Sequence, residues 1–194
     1  MKTGLKIKDL IIEFFNDVKI GKIEIYNEFS LQHEFGIYLR KHFGHLKIQF
    51  ERNIAFFKLG KSKFEKREID IVIIDSSELH CVIELKYPRN GQVPETMFSF
   101  CKDIAFLEQL VNSGFRSAYF LAVADHSQFY SNEGKKDGIY KFFRSGEPIT
   151  GEIHKPTGSK EAKDNTFVTI NGRYAIKWIP IADNKNYCLV QVGY

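Results

Sequence analysis

Two neighbouring stretches, Glu68-Ile69-Asp70-Ile71-Val72-Ile73-Ile74-Asp75 and His80-Cys81-Val82-Ile83-Glu84-Leu85-Lys86, set acids and a lysine into runs that otherwise read as buried strand. A buried charge without a partner is strongly destabilising, so charges in such runs mean a metal, a mutual pair or catalysis. Alternate residues of a strand share a face. Asp70 therefore lies with Glu68, Val72 and Ile74, and Glu84 and Lys86 lie with His80 and Val82, while Cys81, Ile83 and Leu85 face the other way.

A three-residue turn at Ser76-Ser77-Glu78 makes the two runs a hairpin with Asp70 opposite Glu84. A two-residue loop would put Asp70 opposite Ile83 and set polar against apolar faces, so the longer turn is expected. Opposed Cβ atoms lie roughly 4.5 to 5.5 Å apart, and two carboxylates that close repel unless a cation or a proton intervenes. A hard divalent cation resolves the conflict.

Upstream, Ile7, Leu10, Ile11, Phe14, Phe15 and Val18 recur at helical spacing and predict an amphipathic helix over residues 6–19, stopped by Gly21. A second helix is expected over 27–43, with Asn27 or Ser30 as cap and Gly44 past its end. A strand near residues 47–57 and a basic loop near 59–66 lead into the hairpin. Downstream, residues 95–112 carry helical spacing through Met97, Cys101, Ile104, Leu107 and Val111. Ser117-Ala118-Tyr119-Phe120-Leu121-Ala122-Val123-Ala124 is apolar on both faces, as an interior strand between helical layers would be. The order from residue 27 is helix, three strands, helix, strand. Residues 126–165 turn to Gly, Lys, Ser and Asp and read as a loop-rich insertion. Residues 166–194 return to strand-like alternation around Asn171-Gly172, a hairpin signal.

On the second helix, with Phe35 as zero and about 100° per residue, Leu31, Tyr38, Leu39 and Phe43 define the core face. Glu28 falls at about 20° and Gln32 at about 60°, inside the apolar stripe. A core-facing glutamate is expected to reach the sheet and join Asp70 and Glu84, with Gln32 as hydrogen-bonding neighbour. The competing explanation is its place in the first turn, where the chain is less buried and the helix dipole favours an acid.

These residues resemble the PD-(D/E)XK nuclease superfamily, the restriction-endonuclease-like fold, over residues 27–125. The likeness rests on Asp70 and the Glu84-Leu85-Lys86 triplet, with Ile69 where many members have proline. Glu-x-Lys also occurs as Glu133-Gly134-Lys135 and Glu161-Ala162-Lys163, but only Glu84-Leu85-Lys86 ends an apolar strand at hairpin distance from an aspartate. The resemblance implies an α/β fold: a mixed central sheet with an αβββαβ core, helices on both faces, an extra N-terminal helix and a C-terminal β-rich tail. The whole chain, 1–194, reads as a single nuclease-like domain, with its core about 24–125, the insertion about 126–165 and the tail 166–194. It also implies that Asp70, Glu84, Glu28 and the Leu85 carbonyl bind Mg²⁺ or Mn²⁺, and that Lys86 positions or activates the attacking water. Asp70, Glu84, Lys86 and Glu28 are thus the expected catalytic set, and Gln32, Lys66, Arg67 and Gln92 the expected substrate contacts.

Composition sets the outer bounds. The chain has 194 residues, a net charge of +4 and 43% hydrophobic residues, with a pI near 8.8. Its size fits one domain with a real core. No run reaches the roughly 20 apolar residues that span a membrane, and no signal peptide is visible, so a cytoplasmic protein is expected. Cys81, Cys101 and Cys188 form no CxxC pair and read as reduced thiols. Lys58, Lys61, Lys63, Lys66 and Arg67 crowd the approach to Asp70, and Lys135, Lys136, Lys141 and Arg144 form a second basic set. Solvated loop charge or phosphate contact explains either. Asp103, Glu108 and Gln109 read mainly as a solvated helix face, although Glu108 falls on the apolar stripe, where a lysine partner would explain it. His33, His42 and His45 read as surface residues. A metal-dependent DNase is the leading expectation, and cutting both strands would suit a homodimer. A non-catalytic DNA-binding or protein-interaction module on the same fold, or an RNA-directed nuclease, is the alternative.

Overall fold

The structure is a computed structural model describing residues 7–59, 64–75, 78–89, 91–182 and 184–193. Helix α1 (Ile7–Lys19) buries the six apolar residues its spacing predicts. Helix α2 (Glu28–His42) starts at Asn27, whose side chain accepts from the Ser30 N–H while the Ser30 hydroxyl accepts from the Asn27 N–H, a reciprocal cap. Strands β1 (Lys47–Asn53), β2 (Glu68–Asp75) and β3 (Glu78–Lys86) follow as an antiparallel meander. Helix α3 (Val93–Asn112) then leads to β4 (Ser117–Ala124), which runs parallel to β3. The chain from α2 to β4 therefore has the expected element order.

Beyond residue 125 the chain is more regular than its composition suggests. The stretch expected to be loop-rich holds helix α4 (Tyr140–Arg144), strand β5 (Ile149–His154) and helix α5 (Lys160–Asn165), and Phe129, Ile139, Phe142, Phe143, Ile149 and Ile153 are buried. Its turn-rich composition masks these scattered anchors. Strand β6 (Phe167–Tyr174) runs straight through Asn171-Gly172, so that dipeptide makes no hairpin, and it pairs with β5 in a separate two-stranded sheet. Strands β7 (Trp178–Ala182) and β8 (Lys185–Val192) form the tail's actual hairpin and join the main sheet, whose order is β1-β2-β3-β4-β8-β7. That sheet is mostly antiparallel, with β3 and β4 the parallel pair.

Alternation along the central strands feeds two cores. Val72, Ile74, Val82, Phe120 and Ala122 pack with α3, whereas Ile71, Ile73, Ile83, Leu85 and Leu121 pack with α1 and α2. Helices thus cover both faces. Gly36 lets α2 approach β1: a Cβ there would lie 2.5 Å from the Phe50 ring. Near β1's end the expected strand to residue 57 stops at Asn53, and Ile54–Phe57 form a 3₁₀ turn capped by the Asn53 side chain.

The β2–β3 register is reached by a different route from the one expected. Asp75 pairs with Glu78, so Glu78 belongs to the strand and the connection is the shorter one; Ser76 and Ser77 lie outside the described residues. A bulge between Ile73 and Ile74 adds one residue on β3, and Ile73 pairs with Cys81, Val72 with Val82 and Ile71 with Ile83. Continuing one step brings Asp70 alongside Glu84, as the longer turn would have done.

Candidate functional site

The β2–β3 register and the start of α2 bring Asp70, Glu84, Leu85, Lys86 and Glu28 to one end of the central strands. Asp70 Oδ2 accepts the Leu85 N–H at 2.7 Å, and the Asp70 N–H lies 3.4 Å from Glu84 Oε1. Lys86 Nζ donates to its neighbour's carbonyl, Leu85 O, at 3.0 Å and stands 3.8 Å from Glu28 Oε1. Glu28 Oε2 accepts the Tyr87 N–H at 2.9 Å. Glu28 is not core-facing as its wheel position suggested. It opens α2, where the stripe runs out towards solvent, and its side chain is 48% exposed.

Glu28, Gln32, Asp70 and Leu85 line a small recess of about 90 Å³ together with Phe29 and Glu51. Gln32 is committed to the protein: its amide nitrogen donates to Glu51 Oε1 at 2.5 Å and to Asp70 O at 3.2 Å. Glu51 was not foreseen. The pairs Phe50–Ile71 and Arg52–Ile69 bracket Glu51 and Asp70, and Glu51 sits at a φ of 48°, the left-handed region that costs a non-glycine residue about 1 to 2 kcal/mol. Local sequence carries no signal for it, because the long connection from β1 to β2 leaves their register open.

Glu84 is fully buried and lies behind this recess rather than lining it. Its Oε2 is bound by the ammonium of Lys66. The same ammonium lies 3.0 Å from Asp103 Oδ1, and Lys86 Nζ lies 3.6 Å from Asp103 Oδ2. Lys66 therefore turns inward to the acids, away from the substrate-contact role expected of it. Asp103 is 3% exposed, so the expected solvated face is a buried one. The signal was present: Phe98, Phe100, Ala105 and Phe106 join Met97, Cys101 and Ile104 in making α3 apolar nearly all round, and such a helix is buried.

Electrostatics follow from this enclosure. Burial pushes the Glu84 carboxyl well above its usual range, and the charges of Asp70 and Asp103 add to that, with Lys66 opposing. Asp103 is raised by burial too, against the pull of Lys86 and Lys66. Burial works to lower the two ammonium groups, but the surrounding acids prevail: Glu84, Asp103 and Asp70 hold Lys66 above its usual value, and Asp103, Asp70 and Glu28 do the same for Lys86. Both lysines stay cationic at neutral pH, so Lys86 offers charge and hydrogen-bond donors here.

The remaining expected contacts lie apart. Arg67 is exposed and lines a different recess with Asn53, Ile54 and Lys58. Gln92 stands at the N-cap of α3, where among the described residues its side chain makes no capping hydrogen bond, and it is exposed. Lys61 and Lys63 lie outside the described residues. In the second basic set Arg144 is buried, its guanidinium donating to the Gln128 and Lys135 carbonyls, while Lys141 pairs with Glu147 at 2.8 Å, so these residues knit the chain together. Glu108 has backbone partners in place of the expected lysine: its carboxylate accepts the Asn171 and Gly172 N–H groups at 2.9 and 2.6 Å and the Tyr174 hydroxyl at 3.0 Å.

Among the described residues, no group of three or more His, Cys, Asp or Glu side chains is placed to hold a metal ion as the side chains stand. The donor chemistry nevertheless suits a hard divalent cation, since Asp70, Glu84, Glu28 and Leu85 O offer oxygen alone. The position also attracts positive charge already, in the form of the Lys66 ammonium on Glu84. Among the described residues no helix is long and apolar enough to cross a membrane. Compared with known proteins, the chain matches no family model, no curated protein and no solved structure.

Proposed function

We propose that the protein is a metal-dependent nuclease that hydrolyses phosphodiester bonds of DNA, built on a restriction-endonuclease-like core running from α2 to β4. One observation carries the reading. Asp70, Leu85 and Lys86 meet at a strand end, with the carboxylate pinned by a backbone N–H and the ammonium held among acids, and Glu28 closes the group from α2. Ordinary packing has no need of two lysines and four acids around one pair of strands.

In this reading Asp70, Glu84, Glu28 and the Leu85 carbonyl hold Mg²⁺ or Mn²⁺, which neutralises the scissile phosphate and lowers the pKa of bound water. The chain's own part is positioning. The Leu85 N–H fixes the Asp70 rotamer, and Gln32 ties α2 to β1 and β2. Lys86, held cationic, donates hydrogen bonds to an attacking water or to the phosphate oxygen on which charge develops. DNA is the proposed partner, and scission of both strands would use two copies of the chain.

The test is to incubate the protein with supercoiled, linear, single-stranded and branched DNA and with RNA, with and without Mg²⁺ or Mn²⁺. Asp70→Ala, Glu84→Ala and Lys86→Ala are assayed alongside. Metal-dependent cleavage that disappears in all three variants supports the proposal, and cleavage persisting in all three overturns the site. A second reading has its own support: Glu84 is enclosed with Lys66, as suits a nucleic-acid-binding module without turnover. DNA binding by gel shift with no cleavage under any metal selects it.

A further inference from the structure

Lys66 comes from the segment that enters β2, and its side chain is 28% exposed although its ammonium reaches fully buried Glu84. It has two acceptors, Glu84 Oε2 and Asp103 Oδ1 at 3.0 Å. Among the described residues the other Asp103 oxygen, Oδ2, is enclosed and accepts no hydrogen bond, and Lys86 Nζ lies 3.6 Å from it. A carboxylate can accept about four hydrogen bonds. Asp103 thus has unused capacity beside an ammonium that it already shares.

We infer that Lys66 is a displaceable internal counter-ion for the cation site, and that Asp103 is the positioning residue that receives its ammonium. The inference rests on the reading that Asp70 and Glu84 hold a divalent cation. That cation and an ammonium cannot occupy the same Glu84 oxygen, because their like charges repel at contact distance. Stripping Lys66 to bare solvent-poor surroundings would leave an uncompensated buried charge. Asp103 removes the difficulty: a small swing of the Lys66 chain exchanges a shared ammonium for one held by Asp103 alone. Before the cation arrives, the same ammonium keeps Glu84 from being a bare carboxylate in the core.

Mn²⁺ binding, followed by the loss of the free-ion EPR signal and by calorimetry, tests this on the full chain. The proteins are wild type, Lys66→Gln, Asp103→Asn and Asp70→Asn, with circular dichroism as the check of fold. Lys66→Gln should bind Mn²⁺ at least about tenfold more tightly, some 1.4 kcal/mol, because the competitor is gone. Asp103→Asn should bind about tenfold more weakly, because the ammonium then stays on Glu84. A defect of folding alone would weaken both affinities and could not move them in opposite directions. If Lys66→Gln fails to fold, Lys66→Met, which keeps the apolar stem, takes its place. Equal or weaker binding by the folded Lys66 variant, with wild type and not Asp70→Asn binding Mn²⁺, overturns the Lys66 inference alone. Absence of binding in wild type and the Lys66 variant overturns the cation reading and the inference with it.

Discussion

The backbone N–H of Leu85 donates to Asp70 Oδ2 at 2.7 Å, so the strand carrying Lys86 also sets the rotamer of the carboxylate on its neighbour. Asparagine preserves an acceptor at that point and alanine does not. Asp70→Asn is therefore expected to lower DNA cleavage at least about 100-fold with stability nearly unchanged, whereas Asp70→Ala loses the same activity and a further ~1.5 to 3 kcal/mol, the range for a hydrogen bond to a charged group. Plasmid nicking and urea unfolding on both variants check the pair.

Glu84 and Lys66 are mutually dependent for burial. Removing one partner of a buried pair costs about 3 to 5 kcal/mol, whereas replacing both by neutral groups of similar volume costs far less. Lys66→Met, which leaves enclosed Glu84 without its cation, is thus expected to be more destabilising than Glu84→Ala, which leaves Lys66 with Asp103, and Lys66→Met combined with Glu84→Gln to be clearly milder than the sum of the single changes. A double-mutant cycle in urea measures the difference, and additivity would contradict it.

Glu108 ties α3 to β6 through two backbone N–H groups, the Asn171 side chain and the Tyr174 hydroxyl. Truncating it leaves several part-buried donors without acceptors, at ~1 to 3 kcal/mol for each that water does not reach. Glu108→Ala should lose roughly 3 kcal/mol or more on that scale. Amide exchange should accelerate first at Asn171 and Gly172, while Asp70-dependent chemistry is affected only through stability.

Burial pushes the Cys81 and Cys188 thiols from an ordinary 9.0 up to about 12. Both stay protonated in the folded protein at pH 8, so a maleimide or disulfide reagent should react slowly until denaturant is added. The linkage has a definite sign. The unfolded chain ionises these thiols as pH passes 9 while the folded chain retains the protons until about 12, so their contribution is intact below pH 9 and declines through that window. Urea midpoints measured from pH 8 upward should fall, and replacing both cysteines by alanine should flatten the decline.

Where local physics is decisive, the sequence was readable. The six buried residues of α1, the Asn27 cap and the doubly apolar β4 all depend on periodicity or on a cap within four residues. The placement of Asp70, Glu84 and Lys86 at one strand end was readable, because they lie on adjacent strands and the hairpin between them is short. What escaped depends on distant partners. Asn171-Gly172 is a turn signal, yet the Glu108 carboxylate collects both N–H groups and the strand continues past them. Asp103 acquires its role from Lys66 and Lys86, each at least 17 positions away in the chain, and Glu51 is placed by a register that no local turn dictates. The bulge at Ile73 and Ile74 shows the opposite case, in which a wrong turn length still led to the right neighbour.

The central sheet separates two apolar cores, with α1 and α2 on one side and α3 on the other. Lys86 is touched from both: Glu28 opens α2, and Asp103 comes from α3. One ammonium therefore stands in the field of acids from both helical layers, and its electrostatic environment is set by how the two layers sit on the sheet.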